Sequence, residues 1–207
     1  ANGNIDDGVS FSDICYASNP SYTNVPDDNF EQALIDLGYD DVLNDYVLTA
    51  NISGVTSLDV NNEGISDLTG IEAFTALTYL NCNDNQLTTL DVSANVSLNT
   101  LTCYANLLTS LDVSSNTALT FLDCYDNQLT ALDVSSNTAL VELHFGQNQL
   151  TSLDVSANTA LTDLDCYDNQ LTSLDVSANT ALNDLRCYDN QLTSLDVSAN
   201  TALTGLS

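Results

Sequence analysis

Two sets of side chains recur at a spacing that could do chemistry. Asp59, Asp91, Asp112, Asp133, Asp154, Asp175 and Asp196 form one column. If its members stack ~4.8 Å apart, as neighbouring strands do, adjacent carboxylates repel by roughly 1 kcal/mol even in water. No lysine is present to relieve that repulsion. Such a row could bind a divalent cation, Ca²⁺ above all because it takes several oxygen ligands. Equally, each aspartate could bond neighbouring serine or backbone groups and otherwise be solvated. The glycine-rich D-x-D-x-D-G calcium loop does not occur. The second set is Tyr104, Tyr125, Tyr167 and Tyr188, accompanied by Asp123, Asp165 and Arg186. Aromatic and acidic rows suit recognition of a protein or glycan ligand, or a stacked ladder that supports a sheet. One unit departs from the pattern with Glu142, His144, Phe145, Gly146 and Gln147. Gly146 lacks the bulky ring found in its neighbours and lies beside the only histidine. A notch is expected there, and with it a specific contact.

Catalysis has no comparable foothold. One histidine, no lysine and no serine paired with a base leave neither a triad nor a phosphate-binding loop. Six cysteines could suggest disulfides, but their spacing suggests otherwise. Cys82, Cys103, Cys124, Cys166 and Cys187 share one lattice of 21 residues, with Phe145 at the missing node. Phenylalanine at such a node implies an apolar, inward position, so these cysteines are expected to be buried thiols acting as small apolar side chains. His144 should point outward while they point inward, which argues against a zinc site. Cys15 stands apart.

The same lattice shows what must position these side chains. Leu80, Leu101, Leu122, Leu143, Leu164 and Leu185 recur on it, as do Asn85, Asn106, Asn127, Asn148, Asn169 and Asn190. One unit reads Leu161-Thr-Asp-Leu164-Asp-Cys166-Tyr-Asp-Asn169-Gln-Leu171, and Leu171-Thr-Ser-Leu174-Asp-Val176-Ser-Ala-Asn179 echoes it. Within Leu164-Asp165-Cys166 and Leu174-Asp175-Val176 side chains alternate with period two. Buried polar groups need partners, so both asparagine columns are expected to turn inward and satisfy the backbone at the bends.

This pattern resembles the bacterial leucine-rich repeats, specifically a nested subclass of the form LxxLxCxxNxLxxLDVxxNxx, over about residues 77–207. The segment "SDLTGIEAFTAL" in residues 55–76 resembles the repeats of internalin-type surface proteins. The resemblance implies a right-handed solenoid with parallel β-sheets on two sides, a non-catalytic binding or adhesion role, and a secreted or cell-surface setting in a bacterium. Thr88, Thr109, Thr130, Thr151, Thr172 and Thr193 also align. Threonine arrays occur in ice-binding β-solenoids, but their tight Thr-x-Thr is absent here, so ice binding is a minor alternative.

Before the repeats, residues 25–54 read as a helical cap, which a solenoid needs over its first coil. Asp27 or Asp28 is the expected N-cap, Gly38 marks the C-terminal end, and Phe30, Leu34 and Leu37 share a face. Residues 1–24 show neither helical nor strand periodicity and are expected to be irregular. They open on a polar stretch, as a processed secreted protein would. Residues 77–207 hold six repeats and part of another, ending at Leu206-Ser207. Two expectations follow from that ending. The array continues, or this end stacks on copies of itself as the subunit of a filament.

The net charge of −28 rests on 29 acidic residues against Arg186 alone. Such a surface repels nucleic acid and anionic lipid and attracts cations or basic partners. It would also keep an extracellular protein soluble. The regular leucine and valine spacing separates the chain from disordered acidic sequences, and no apolar run approaches the ~20 residues of a membrane-spanning helix.

Overall fold

The computed structural model describes residues 20–207, so Cys15 and residues 1–19 lie outside it. Its centre is an eight-stranded parallel sheet in simple chain order. The strands are β3 (Ser57–Asp59), β4 (Tyr79–Asn81), β5 (Thr100–Thr102), β6 (Phe121–Asp123), β7 (Glu142–His144), β8 (Asp163–Asp165), β9 (Asp184–Arg186) and β10 (Gly205–Leu206). Each is two or three residues long because one coil contributes only a leucine and the residues beside it. In β3 through β9 the central leucine is fully buried and faces its counterpart in the next coil: Leu58, Leu80, Leu101, Leu122, Leu143, Leu164, Leu185. A one-residue slip would turn that whole row outward, so the leucines fix the register.

The asparagines fix the bends. At the first bend, Oδ1 of Asn106, Asn127, Asn148, Asn169 and Asn190 accepts the N–H of Leu87, Leu108, Leu129, Leu150 and Leu171 in the preceding coil, at 2.9–3.0 Å. The amide nitrogen of Asn106 donates to Cys103 O in its own coil and Cys82 O in the one before. At the second bend Asn116 Nδ2 donates to Val92 O and Asn95 O of the preceding coil, and the pattern repeats to Asn200. Both columns are nearly or wholly buried through Asn200, apart from the half-buried Asn190. The residue before each first-bend asparagine (Asp84, Ala105, Asp126, Gln147, Asp168, Asp189) is left-handed, with φ between 49 and 54°. Aspartate tolerates that region better than most residues, which accounts for its prevalence at this turn.

Among the described residues the expected second sheet on the opposite side is absent. Opposite the eight strands the chain makes one isolated bridge, Asp91 to Asp112. Side chains there still alternate, with Leu90 and Val92 buried and Asp91 exposed, but the backbone does not form a ladder. Asp91 Oδ1 accepts the N–H of Ser93 at 2.9 Å, and the coils to Asp196 repeat this. Two residues later the Asn95 N–H turns back to Val92 O.

At the other end, α1 (Asp28–Asp36) follows β1 (Tyr22–Asn24) and precedes β2 (Tyr46–Leu48) and α2 (Thr49–Ile52). β1 pairs antiparallel with β2, so residues 22–24, within the stretch read as irregular, form a strand. Asp27 is the N-cap. Its Oδ1 accepts from Asn29 and Phe30 N–H, while its Oδ2 accepts from Ser66 N–H, Ser66 Oγ and Asp67 N–H of the first coil. Burial raises its carboxyl pKa, but the bonds from Ser66, Phe30 and Asp67 outweigh that and hold it below the usual value. Phe30 packs on Phe74 at 6.4 Å between ring centroids, with Leu34 also buried. Leu37 departs from the expected face. It is the C-cap and is exposed, because the chain turns at Gly38 (φ 80°). Glu31, fully buried, accepts the N–H groups of Asn44, Asp45 and Tyr46 and so anchors the turn into β2.

Replacing one ladder asparagine tests this arrangement. Asn127→Ala leaves the buried Leu108 N–H without its acceptor, and should cost about 3 kcal/mol in urea unfolding. The exposed neighbour Gln128→Ala should stay within about 0.5 kcal/mol.

Candidate functional site on the outer face of the sheet

The strand register that buries the leucines sets the flanking residues outward in two columns, followed by a third just past the strand. Asp123, His144, Asp165 and Arg186 are consecutive in one column, each opposite the next across a parallel pair. Phe121, Glu142, Asp163 and Asp184 are consecutive in another. The tyrosines form the third. Tyr104 and Tyr125 lie 5.7 Å apart between ring centroids, and Tyr167 and Tyr188 stack at 4.9 Å with a 12° interplanar angle.

Between these pairs stands Gly146, where a notch was expected. Instead Gly146 is buried: a Cβ there would lie 2.6 Å from the ring of Tyr167. Tyr167 leans across from the next coil and comes within 6.3 Å of Tyr125, two coils away. The missing ring therefore closes the tyrosine ladder rather than opening it. What remains is a shallow depression of about 150 Å³ lined by Asp123, Tyr125, His144, Asp165 and Tyr167. Five of the eight residues singled out from sequence meet there or at its rim, and Arg186 joins them through Asp165.

Acidic and basic side chains alternate along the column. Arg186 holds Asp165 Oδ2 at 3.2 Å through Nη1 and Asp184 Oδ2 at 2.6 Å through Nη2, and the bond to Asp165 helps raise its pKa. His144 turns to the other column, with Nε2 3.4 Å from Asp163 Oδ1 and its ring edge-on to Phe121 at 5.5 Å. Among the described residues the Asp123 carboxylate accepts one hydrogen bond, from Tyr125 N–H at 3.2 Å. Burial is the main reason its carboxyl pKa is raised; the charge of Asp165 adds to this and that of His144 opposes it. Burial, reinforced by nearby carboxylates, also raises the phenols of Tyr104 and Tyr125, and takes Tyr167 to about 12. All three rings are neutral at ordinary pH.

The other candidates are arranged differently. Asp91, Asp112, Asp133, Asp154, Asp175 and Asp196 are exposed and capped by serine N–H groups, bonds to serine being the chief cause of their lowered pKa values. Open grooves run between them, such as one of about 380 Å³ beside Asp154 and Asp175. Among the described residues, three metal-binding groups come within 4.8 Å of one another at Asp28, Glu31 and Asp45, not on this column. Glu31 there is the anchor of backbone N–H groups, a role its place in the α1 pattern did not signal. The five described cysteines are buried free thiols. Burial raises the pKa of every one, Cys82 to about 12.

Repeated inward leucines and cysteines, asparagine bends and a sheet of one short strand per coil define a leucine-rich-repeat solenoid. Internalin-like leucine-rich-repeat proteins of Listeria are its structural and sequence neighbours. Internalin J of Listeria monocytogenes serotype 4b (strain F2365) is 45% identical over 70 residues, covering 34% of this chain and 8% of that protein. A solved functional domain of internalin J from Listeria monocytogenes, described as including a cysteine ladder, superposes with a TM-score of 0.76 at 40% identity. That match covers 90% of this chain and 47% of the solved one. Internalin C2 of Listeria monocytogenes shares the fold, with a TM-score of 0.67 at 23% identity over 86% of this chain and 92% of its own. The chain thus spans less than half of either internalin J sequence it matches. No protein-family profile matches it.

The raised pKa of Asp123 has a measurable consequence. A carboxyl with a higher pKa folded than unfolded holds its proton more tightly in the fold, so stability falls as pH rises from the unfolded value through the folded one. Asp123→Asn should therefore raise the melting midpoint at pH 7 and change it little at pH 3. An equal change at both pH values would contradict the assigned burial.

Proposed function

We propose that the chain is a non-catalytic scaffold of an extracellular bacterial surface that binds a protein partner across the outer face of its sheet. The observation that carries this reading is the tyrosine ladder, unbroken from Tyr104 to Tyr188 and bordered by Asp123, Asp165 and Arg186. Tyrosine and arginine are the residue types on which interface energy concentrates, and here a rigid backbone holds them in a row. The similarity to internalin J supports the same reading. So does the chemistry of the cysteines, since protonated buried thiols are poor nucleophiles. An acidic face also speeds encounter with basic partners.

The test is to present the chain to arrays of purified extracellular proteins and of glycans, then to repeat with variants. The double variant Tyr125→Ala/Tyr167→Ala should weaken the protein partner at least about 100-fold, at roughly 2 kcal/mol or more for a central aromatic. Asp133→Ala/Asp154→Ala, on the opposite side, should leave it unchanged. Binding that follows the aspartate variant, or that is confined to glycans, would overturn the reading.

A further inference from the structure

The depression between Tyr125 and Tyr167 has a feature that the rest of the face lacks. At the neighbouring step of the same column, Asp165 is neutralised by a guanidinium from the next strand, that of Arg186, which Asp184 also grips. Two coils earlier Asp123 occupies the equivalent place, but the residue opposite it is His144, whose ring is turned to Asp163 and Phe121. Arg186 is the sole lysine or arginine in the chain, and it is already engaged. Asp123 thus faces a depression with a carboxylate at each end of it (the other being Asp165) and a tyrosine ring beside each.

We propose that this depression seats an arginine side chain of the partner protein, its guanidinium paired with Asp123 and lying against the rings of Tyr125 and Tyr167. The proposal rests on the scaffold reading above and names the contact at its centre. Three properties of the site favour this occupant. A planar guanidinium can donate to a carboxylate while its face rests on an aromatic ring. The depression, about 150 Å³, suits a side chain rather than a folded element. A cation there would also relieve Asp123, whose charged form burial disfavours. Arg186 beside Asp165 is the chain's own instance of the same pairing.

The experiment uses the whole chain, labelled with ¹⁵N, titrated with the peptide acetyl-Gly-Arg-Gly-amide and with its citrulline counterpart. Citrulline keeps the shape of arginine and lacks its charge. The arginine peptide should shift the amide signals of Tyr125, His144 and Tyr167 and saturate. The citrulline peptide should bind about tenfold more weakly, and Asp123→Asn should weaken the arginine peptide by a similar factor. That variant is expected to melt no lower than the parent, so a loss of binding would not reflect unfolding. Equal binding of the two peptides, undiminished binding to Asp123→Asn, or shifts confined to the Asp91–Asp196 side would each overturn the seat. If the peptide fails while Tyr125→Ala/Tyr167→Ala still loses the protein partner, the seat is wrong and the scaffold reading stands. If the peptide binds as expected and the partner ignores that double variant, the seat stands and the scaffold reading falls.

Discussion

A single side-chain amide, repeated once per bend, is the interaction on which the rest of the solenoid depends. A strand of three residues cannot position itself, and a narrow coil has little interior to bury. At the first bend the asparagine supplies both needs by bonding to its own coil and to the preceding one together. There its oxygen takes an N–H that the bend would otherwise leave buried and unpaired, and such a group is costly; at the second bend the amide donates to two carbonyls of the preceding coil. Because each amide reaches one coil back, every coil must have nearly the same length. The leucine and cysteine rows then stack without any further device.

Function follows from that rigidity rather than from any one strand. With inward positions occupied by Leu and Cys, each coil has only a few outward positions, and whatever stands there is displayed in a column. Like charges in such a column would repel at every step. In one column of the sheet face the chain interrupts them, placing His144 between Asp123 and Asp165 and Arg186 after Asp165. On the opposite side it ties each aspartate to a serine N–H instead. The two acidic columns therefore differ in kind: one is half-buried among aromatic rings, the other solvated and structural in its hydrogen bonding.

Much of this was legible in the residues. A phenylalanine at a cysteine node was enough to read the cysteines as core, and the asparagine columns could be read as bend-formers because a recurring buried amide needs partners. The capping role of Asp27 was narrowed to two residues by the helical spacing that follows it. Three features were not legible, each for a definable reason. The L-D-V segment alternates like a strand, but periodicity reports which way side chains point, not whether the backbone pairs. The notch at Gly146 disappeared because a column read along the chain treats each coil alone, whereas Tyr167 crosses to the neighbouring one. Glu31 was invisible because its partners lie in the turn at 44–46, outside the helix that carries it.

The most direct measurement of the central claim is amide hydrogen exchange at Leu87, Leu108, Leu129 and Leu150, whose N–H groups point at asparagine oxygens rather than into a backbone ladder. If the amide columns hold the coils together, these four should be as protected as the strand amides of Leu101 and Leu122, opening only with the coil as a whole. Exchange at loop rates, with the strand amides still protected, would show that the sheet alone carries the solenoid.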